Sequence, residues 1–240
     1  MPTPRRRGRP LSPAVTREGI CRAALQITRE SGYEALTMAR IARRLEVAPS
    51  ALYNHIRGKE ELMALLQDAV MDGVSTRELE QAARGEMPVA DAVRAWARSY
   101  RAVFADHVPL IPVIATMPIE GATRTQEVYE AVCAALARTR LAPQQVLERV
   151  IAIESFVYGS AYDVTAPAEI FQVTPPAGRL PALRAAVESF RGSHPADAVA
   201  ASPSNPYADV PFDSGLALLL ADLEEEDAPP AQEIGAPSSG

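Results

Sequence analysis

Hydrophobic residues between positions 37 and 56 recur at helical spacing on both sides of a short break. Ile41 and Leu45 lie about one helical turn apart before the break, and Leu52 and Ile56 lie about one turn apart after it. This spacing is typical of two short helices that turn their apolar faces toward a common core. The sequence therefore predicts a helix, a tight turn and a second helix.

The residues at the ends of these two helices agree with this prediction. Thr37 has the side chain of a helix N-cap, and Pro49 suits the first turn of the second helix, where its missing N–H would have no helical partner. We expect Gly58 to end the second helix. Lys59 should begin a third helix that runs to about Arg84.

A further helix should precede this motif, because Ile20 and Ile27 lie two helical turns apart. Ser12 and Pro13 have the sequence of an N-cap followed by a first-turn proline, so we expect this helix to begin there and to end near Gly32. It would complete a three-helix domain with the motif.

Helical spacing also dominates the second half of the chain. The predicted helices are Val89 to His107, Thr123 to Arg138, Pro143 to Tyr162, Leu183 to Phe190, and Phe212 to Leu223. Three prolines at positions 109, 112 and 118 limit the chain between the first two of these to short helical pieces. Segments 165–181 and 193–211 are rich in Pro, Ala, Ser and Gly and are predicted to be loops.

These elements predict an all-α protein with two domains. Residues 1–12 are expected to form a basic flexible arm, and residues 13–70 a three-helix domain that contains the helix-turn-helix motif at 37–56. Residues 71–225 would form a larger helical domain, and residues 226–240 a disordered tail.

Composition supports helices and argues against a membrane location. The chain of 240 residues contains only five Phe, one Trp and seven Tyr, and Ala and Leu supply most of its apolar content. There is no apolar run of about 18 residues and no apolar segment near the arginine-rich start. We therefore expect a cytoplasmic protein. Cys21 and Cys133 are far apart and are expected to be thiols rather than a disulfide.

The net charge of -6 conceals a strong asymmetry along the chain. Residues 1–65 contain twelve Lys and Arg against six Asp and Glu, a net charge of +6, and the remaining residues contain twelve against twenty-four, a net charge of -12. Only the basic end is suited to contact phosphates.

The basic arm is the most concentrated part of this positive charge. Arg5, Arg6, Arg7 and Arg9 are separated by Gly8 and Pro10, a composition too polar to fold alone. Such an arm can follow the DNA backbone or enter the minor groove of A·T-rich DNA. The alternative is a tail that only increases solubility.

A set of residues in the motif and just after it is more specific than the helix-turn-helix pattern itself. Thr37, Ile41, Leu45 and Val47 are followed by LYNH at 52–55 and by KEEL at 59–62. Together they resemble the DNA-binding half of TetR-type transcriptional repressors. The resemblance implies a double-stranded DNA operator as a partner, recognised by the second helix in the major groove.

The candidate DNA-binding residues follow from this resemblance. Tyr53, His55 and Lys59 resemble the residues of the family that bind the DNA backbone, and Ser50, Ala51 and Asn54 occupy the positions that face the bases. The full candidate set is Arg5, Arg6, Arg7, Arg9, Thr37, Arg40, Pro49, Ser50, Ala51, Tyr53, Asn54, His55 and Lys59. Within it, only Asn54 can make a bidentate contact to adenine, whereas Ala51 can touch a thymine methyl group.

The second half resembles the tetracycline-repressor branch of the same family more loosely. The resemblance lies in Ser99-Tyr100-Arg101, in PALRAAVESF at 181–190, and in FDSGLALLLADLE at 212–224. It implies a helical ligand-binding domain and a homodimer built from helices 143–162 and 212–224. Ala39 stands where that branch has a base-reading arginine, so the operator of that branch should not be inherited.

The helix at 143–162 carries more apolar surface than one face inside a single chain requires. Val146, Val150, Ile153, Val157 and Ala161 form one stripe, which Leu147, Ile151 and Phe156 widen. We expect a second copy of the chain to cover this stripe, so that arginine in place of Ile153 or Leu219 would split the dimer.

The ligand is expected to be an uncharged or weakly polar organic molecule, because the magnesium ligands of the tetracycline branch are missing. Its histidine falls on Val113 or Ile114, and its glutamate on Gln144 or Gln145. The candidate pocket residues are Trp96, Tyr100, Phe104, His107, Met117, Val128, Val132 and Phe156. The alternative is that these residues only form core. No metal or other cofactor is expected.

Two other classes of function are weighed against DNA binding. An enzyme would need acid-base groups such as His107, Glu154 and Asp163, but these lie in separate elements without a nucleophile or cofactor motif. A coregulator that binds only protein would not need a basic arm beside an intact LYNH string. A ligand-responsive DNA-binding repressor, and not an enzyme, is therefore predicted.

Overall fold

All regular secondary structure in the described part of the chain is helical. The computed structural model describes residues 15–167, 169–172, 180–193 and 205–227. The α-helices are α1 (Arg17–Ser31), α2 (Met38–Arg44), α3 (Pro49–Tyr53), α4 (Lys59–Met71), α5 (Arg77–Ala83), α6 (Val89–Ala105), α7 (Ile111–Ile114), α8 (Thr123–Leu136), α9 (Pro143–Val164), α10 (Pro181–Ser193) and α11 (Pro206–Asp227). Short 3₁₀ turns occupy Tyr33–Ala35 and Val108–Leu110. The predicted all-α fold class is confirmed.

Contacts divide the chain into two compact units. The first consists of Met1–Ala69 and Pro109–Thr123, and the second of Val70–Val108 and Arg124–Gly240. Nothing in the sequence pattern indicates that the proline-rich segment after α6 belongs with the helix-turn-helix domain. Val113 and Met117 nevertheless pack against the hydrophobic core of the first unit.

The first unit is built around apolar side chains from α1 to α4. Ile20 and Ile27 on α1, Ile41 on α2 and Leu52 on α3 are each at most 1% exposed. Helices α2 and α3 are too short to be stable alone. The burial of Ile41 and Leu52 in the core that they share with α1 and α4 therefore provides most of the stability of these two helices. The predicted packing of the motif is confirmed.

The predicted start of the first helix is wrong. Thr16, not Ser12, is the N-cap: its hydroxyl oxygen accepts a hydrogen bond from the backbone N–H of Gly19 at 3.0 Å. Ser12 and Pro13 lie outside the described residues. The end near Gly32 is confirmed, since Gly32 has a φ of 78° and its N–H donates to the carbonyl oxygen of Thr28 at 2.9 Å.

Two predicted helix ends in the middle of the chain are also wrong. Helix α3 ends at Tyr53, well before Gly58, and α4 ends at Met71 rather than Arg84. After α4 the chain turns at Gly73, and the backbone N–H of Ser75 donates to the hydroxyl of Ser99 on α6 at 2.9 Å. Gly73 lies two residues after the end of α4 and close to Val103 on α6, and α5 begins separately at Arg77.

Helix α6 is the centre of the second unit. Trp96, Tyr100 and Phe104 lie one turn apart on one face and are at most 1% exposed. They pack among α5, α9 and α11, which contact α6 most extensively. The helices predicted at 89, 123 and 143 are confirmed, with ends that differ by a few residues.

The last helix is longer than the sequence predicts. It begins at Pro206, where Asn205 accepts a hydrogen bond from the N–H of Tyr207 at 3.0 Å, and it continues to Asp227 through Pro211. Residues 206–211 are therefore helical rather than loop, and residues 226 and 227 are helical rather than tail. Helix α10 likewise extends beyond its predicted 183–190.

The two cysteines do not form a disulfide, as the sequence predicts. Cys21 is buried and Cys133 partly buried, and both are free thiols. Burial raises the pKa of the Cys21 thiol to about 11. No helix in the described ranges is both long and apolar enough to cross a membrane.

Candidate DNA-binding motif and ligand site

The turn between α2 and α3 is a Schellman motif. The N–H of Val47 donates to the carbonyl oxygen of Ala42 at 3.0 Å, and the N–H of Glu46 donates to that of Arg43 at 3.2 Å. Glu46 adopts a left-handed conformation with a φ of 56°, which glycine adopts more easily. This turn sets the direction in which α3 leaves α2.

Helix α3 packs into the core through one buried side chain, and its other residues are exposed or partly exposed. Leu52 is fully buried, whereas Pro49, Ser50 and Asn54 are exposed and Tyr53 is 54% exposed. Ala51 and His55 are partly buried at its rim. Small and polar side chains of this kind can approach base edges and phosphates in a major groove.

The loop after α3 is held by one ion pair. Arg17 on α1 donates to the carbonyl oxygen of His55 at 3.0 Å and to Oε1 of Glu61 at 2.7 Å. The other oxygen of Glu61 accepts the backbone N–H of Arg57 at 2.7 Å, and this hydrogen bond and the Arg17 contact hold the pKa of Glu61 below its usual range. The contacts fix the start of α4, where Lys59 lies 5.1 Å from the ring of Tyr33.

The remaining candidate DNA-binding residues fall into two groups. Thr37 is the N-cap of α2 and accepts the N–H of Arg40 at 3.2 Å, while the guanidinium of Arg40 donates to the hydroxyl of Ser31 at 2.7 Å. Arg40 is thus tied to α1. The arginines of the predicted arm, Arg5, Arg6, Arg7 and Arg9, lie outside the described residues.

In the second unit, three tyrosine hydroxyls converge on one carboxylate oxygen. Oε1 of Glu154 on α9 lies 2.5 Å from the hydroxyl of Tyr100 on α6, 2.5 Å from that of Tyr129 on α8, and 3.1 Å from that of Tyr158 on α9. The hydroxyls of Tyr100 and Tyr158 are also 2.8 Å apart. We call Glu154 and these three tyrosines the tyrosine cluster.

Burial keeps the phenols of this cluster in their neutral form. Desolvation is the largest cause that raises the pKa of Tyr100, Tyr129 and Tyr158 above the usual value, and the nearby Glu154 carboxylate raises each further. Neutral phenols can donate to the carboxylate at any physiological pH. The hydroxyls of Tyr100 and Tyr129 are both close enough to Oε1 of Glu154 to donate a hydrogen bond to it.

An aromatic wall continues from the tyrosine cluster along α6. The ring of Tyr100 lies 5.5 Å from that of Trp96, 4.8 Å from that of Phe104, and 5.6 Å from that of Tyr158. The buried Nε1 of Trp96 has no hydrogen-bond partner within the described ranges. This donor is available to an acceptor that the chain itself does not provide.

The structure brings together only some of the predicted pocket residues. Trp96, Tyr100 and Phe104 form the aromatic wall, and Val128 and Val132 are buried on α8. Phe156 stacks on Phe212 with ring centroids 5.5 Å apart. Met117 packs in the first unit, and His107 follows the end of α6.

Tyr129, Glu154 and Tyr158 were missed as ligand-site candidates. One local signal could have indicated two of them: Glu154 and Tyr158 lie one helical turn apart, so both polar groups share a face of an otherwise apolar helix. The described residues contain no group of three or more His, Cys, Asp and Glu side chains that could hold a metal ion.

The two units define a helix-turn-helix protein with an additional helical domain. The family model described as bacterial regulatory proteins, tetR family, matches residues 20–66, and the model described as the tetracyclin repressor-like C-terminal domain matches residues 83–226. The chain therefore belongs to the TetR family, which consists of transcriptional regulators rather than enzymes.

Individual relatives agree with this assignment. The HTH-type transcriptional repressor DrrR1 of Streptomyces coeruleorubidus is 30% identical over 159 residues, which are 66% of this chain and 57% of the relative. The matched segment thus spans less than two thirds of that protein's length.

Solved structures share the fold at lower identity. ActR of Streptomyces coelicolor, solved in complex with actinorhodin, is 22% identical with a TM-score of 0.59, over 89% of this chain and 97% of that one. BioQ, solved with its double-stranded DNA operator, is 18% identical with a TM-score of 0.57, over 88% of this chain and 99% of that one.

Proposed function

We propose that this protein is a transcriptional repressor that binds a palindromic DNA operator as a homodimer and is released by a small organic ligand. The observation that carries the proposal is the exposed polar surface of α3, held in a helix-turn-helix motif that matches the family model. DrrR1 is a repressor by name, and BioQ binds an operator. A protein that acts on the chromosome works in the cytoplasm, which is the location we propose.

Exposed apolar residues on α9 and α11 support the proposed dimer. Leu147 and Ile151 on α9 are 53% and 52% exposed, and Leu218 on α11 is 81% exposed. The two helices are fixed to each other because both oxygens of Asp222 accept hydrogen bonds from Arg149 at 2.8 Å. An exposed apolar surface on a rigid helix pair is typical of a symmetric interface.

The main apolar stripe predicted for this interface lies on the inner side of α9. Val146, Val150, Ile153, Val157 and Ala161 are buried within the protomer. Arginine in place of Ile153 would therefore disrupt the core of the protomer and could not test the dimer. Leu147 and Ile151, which widen that stripe, are the residues left for a partner.

Ligand-dependent release requires that the ligand bind one conformation more tightly than another. The ligand would favour the conformation with low affinity for the operator, and DNA and ligand would weaken each other's binding by the same factor. The binding of actinorhodin by ActR and of minocycline by a tetracycline repressor variant of Acinetobacter baumannii supports a small-molecule effector.

Selection of bound sequences from random double-stranded DNA tests the DNA-binding part of this proposal. We expect enrichment of an inverted repeat, since a symmetric dimer presents two copies of α3. Ser50→Glu should weaken binding to that repeat by at least about tenfold, because it places a negative charge beside phosphates. The matched change Ser189→Glu, at an exposed serine on α10, should leave affinity within about twofold. No enriched sequence from the wild-type protein would contradict the proposal.

A further inference from the structure

The carboxylate of Glu154 is partly buried and is contacted by three phenols and by no cation of the described residues. Asp209, Asp213 and Asp222 each form an ion pair with an arginine, at 2.7, 3.0 and 2.8 Å respectively. Among the described residues, no Lys, Arg or His forms an ion pair with Glu154, which is partly buried. Removing a carboxylate from water without a counter-charge is costly, and the hydrogen bonds from the phenols offset only part of that cost.

The hydrogen bonds inside the tyrosine cluster leave one side of this carboxylate unused. All three phenols approach Oε1, and within the described ranges Oε2 accepts no hydrogen bond. The side chains of Glu154, Tyr129 and Tyr158 are all partly exposed, so a solute can reach them. A carboxylate oxygen with free acceptor capacity therefore lies in a partly exposed position.

The surroundings of Glu154 are suited to a positive charge on an apolar body. The rings of Tyr100, Tyr158 and Phe104 lie 4.8 to 5.6 Å from one another, and the hydroxyls of Tyr100 and Tyr158 contact the carboxylate. Aromatic faces carry negative electrostatic potential and attract ammonium groups. An anionic ligand would meet repulsion from Glu154, and a neutral ligand would leave its charge uncompensated.

We propose that the effector of this protein carries a positively charged nitrogen, which the Glu154 carboxylate and the rings of the tyrosine cluster bind. The inference rests on the proposed ligand-responsive function and specifies the chemical class of its ligand. It replaces the expectation, from the sequence alone, of an uncharged ligand. The apolar part of the ligand lies along the aromatic wall, where Nε1 of Trp96 can donate to an acceptor on it.

The competing explanation is that the tyrosine cluster only joins α6, α8 and α9. Three probes of equal length separate the two: 4-phenylbutylammonium, 4-phenylbutanol and 4-phenylbutyrate. Trp96 is the single tryptophan of the chain and lies beside Tyr100, so its fluorescence can report binding. At neutral pH we expect the ammonium to bind at least about tenfold more tightly than the alcohol, and the carboxylate probe to bind least.

Two matched variants assign this preference to one carboxylate. Glu154→Gln keeps an oxygen that can accept from the phenols but removes the charge, and it should reduce the preference for ammonium over alcohol to about twofold or less. Glu148→Gln removes the charge of an exposed glutamate nearer the start of the same helix and should leave the preference unchanged. Tyr129→Phe, which keeps the charge and removes one donor, should retain it.

The outcomes distinguish this inference from the proposed function. Equal binding of the three probes, tighter binding of the alcohol or carboxylate, or no binding of any probe up to roughly 10 mM overturns the inference, since fragments of this size bind in the millimolar range. The binding of the three probes to the wild-type protein tests the inference even if the Glu154→Gln variant does not fold. If the wild-type protein still selects an inverted repeat, only the cationic ligand is ruled out. If it selects no DNA, the proposed function fails whatever the probes show.

Discussion

At the scale of single residues, α3 offers few groups that can distinguish one base from another. Asn54 is the C-cap of α3 and is exposed, and Ser50 and Ala51 are small. Lys59 belongs to the next helix, and its positive charge would attract phosphates without distinguishing one base from another. Affinity and sequence discrimination should therefore depend on different residues.

Replacing Asn54 or Lys59 by alanine should separate these two contributions. Lys59→Ala should weaken binding to all DNA sequences about equally and reduce the slope of log affinity against log salt by about 1. Asn54→Ala should remove roughly 1–3 kcal/mol of discrimination at one base position. Binding measured on a library of single-base operator variants at several salt concentrations tests both. An equal loss on every variant for Asn54→Ala would refute its role in base reading.

Glu46 offers a second prediction at this scale. It is exposed and holds a left-handed φ of 56° in the turn between α2 and α3. Glu46→Gly should stabilise the protein by roughly 1 kcal/mol, because glycine adopts this conformation without steric cost. Urea unfolding measures the change. Glu46→Ala is the control: it removes the carboxylate but keeps a Cβ, so a similar gain there would point to charge rather than conformation.

At the scale of elements, α11 is held against α9 and α6 by contacts of three kinds. Arg149 pairs with Asp222, the guanidinium of Arg101 lies 4.6 Å from the ring of Phe212, and Phe156 stacks on Phe212. Gly215 lets α11 approach closely, since a Cβ there would lie 2.6 Å from Cζ of Phe156. The close approach of α11 to α9 therefore depends on the absence of a side chain at Gly215.

Gly215→Ala should therefore destabilise the second unit by about 1–3 kcal/mol, because the Phe156 ring must move to accept a methyl group. Gly192→Ala is a matched control within α10, where a Cβ would meet no atom within 4 Å. It should be neutral or stabilise by up to about 1 kcal/mol, as alanine favours helices. Thermal unfolding followed by circular dichroism compares the two, and equal effects would contradict the packing argument.

Helix periods were predictable from the sequence, but several helix ends were not. A period of about 3.6 residues is a local property, so the buried faces of α6, α8 and α9 followed from the positions of apolar residues. The turn after α4 also packs against α6, where the hydroxyl of Ser99 accepts from the N–H of Ser75, 24 residues earlier in the chain. The start of α11 depends on Asn205, whose side chain also donates to the carbonyl oxygens of Asp163 and Ala166.

The same distinction applies to the two candidate sites. The helix-turn-helix surface was predictable because its residues are consecutive. The tyrosine cluster was not, because Tyr100 and Tyr129 lie 54 and 25 positions from Glu154 and meet only in the folded chain. No spacing rule connects residues so far apart on three helices.

At the scale of the whole molecule, function as proposed depends on a second copy of the chain. Ile151→Glu combined with Leu218→Glu should raise the dimer dissociation constant by at least about tenfold, because charge would enter an apolar interface. Leu183→Glu, at a leucine 45% exposed on α10, is the matched control and should leave the dimer intact. Sedimentation at micromolar concentration measures both. A wild-type protein that sediments as a monomer would rule out the dimer.

The sharing of one carboxylate oxygen by three helices also has a spectroscopic consequence. A phenolic proton that is hydrogen-bonded to a carboxylate oxygen is deshielded relative to the proton of a free phenol. The resonances of the hydroxyl protons in the tyrosine cluster should therefore appear downfield of the position of a free phenol. A movement of α6, α8 or α9 relative to the others would shift these resonances. They would therefore report the conformation of the second unit in NMR spectra.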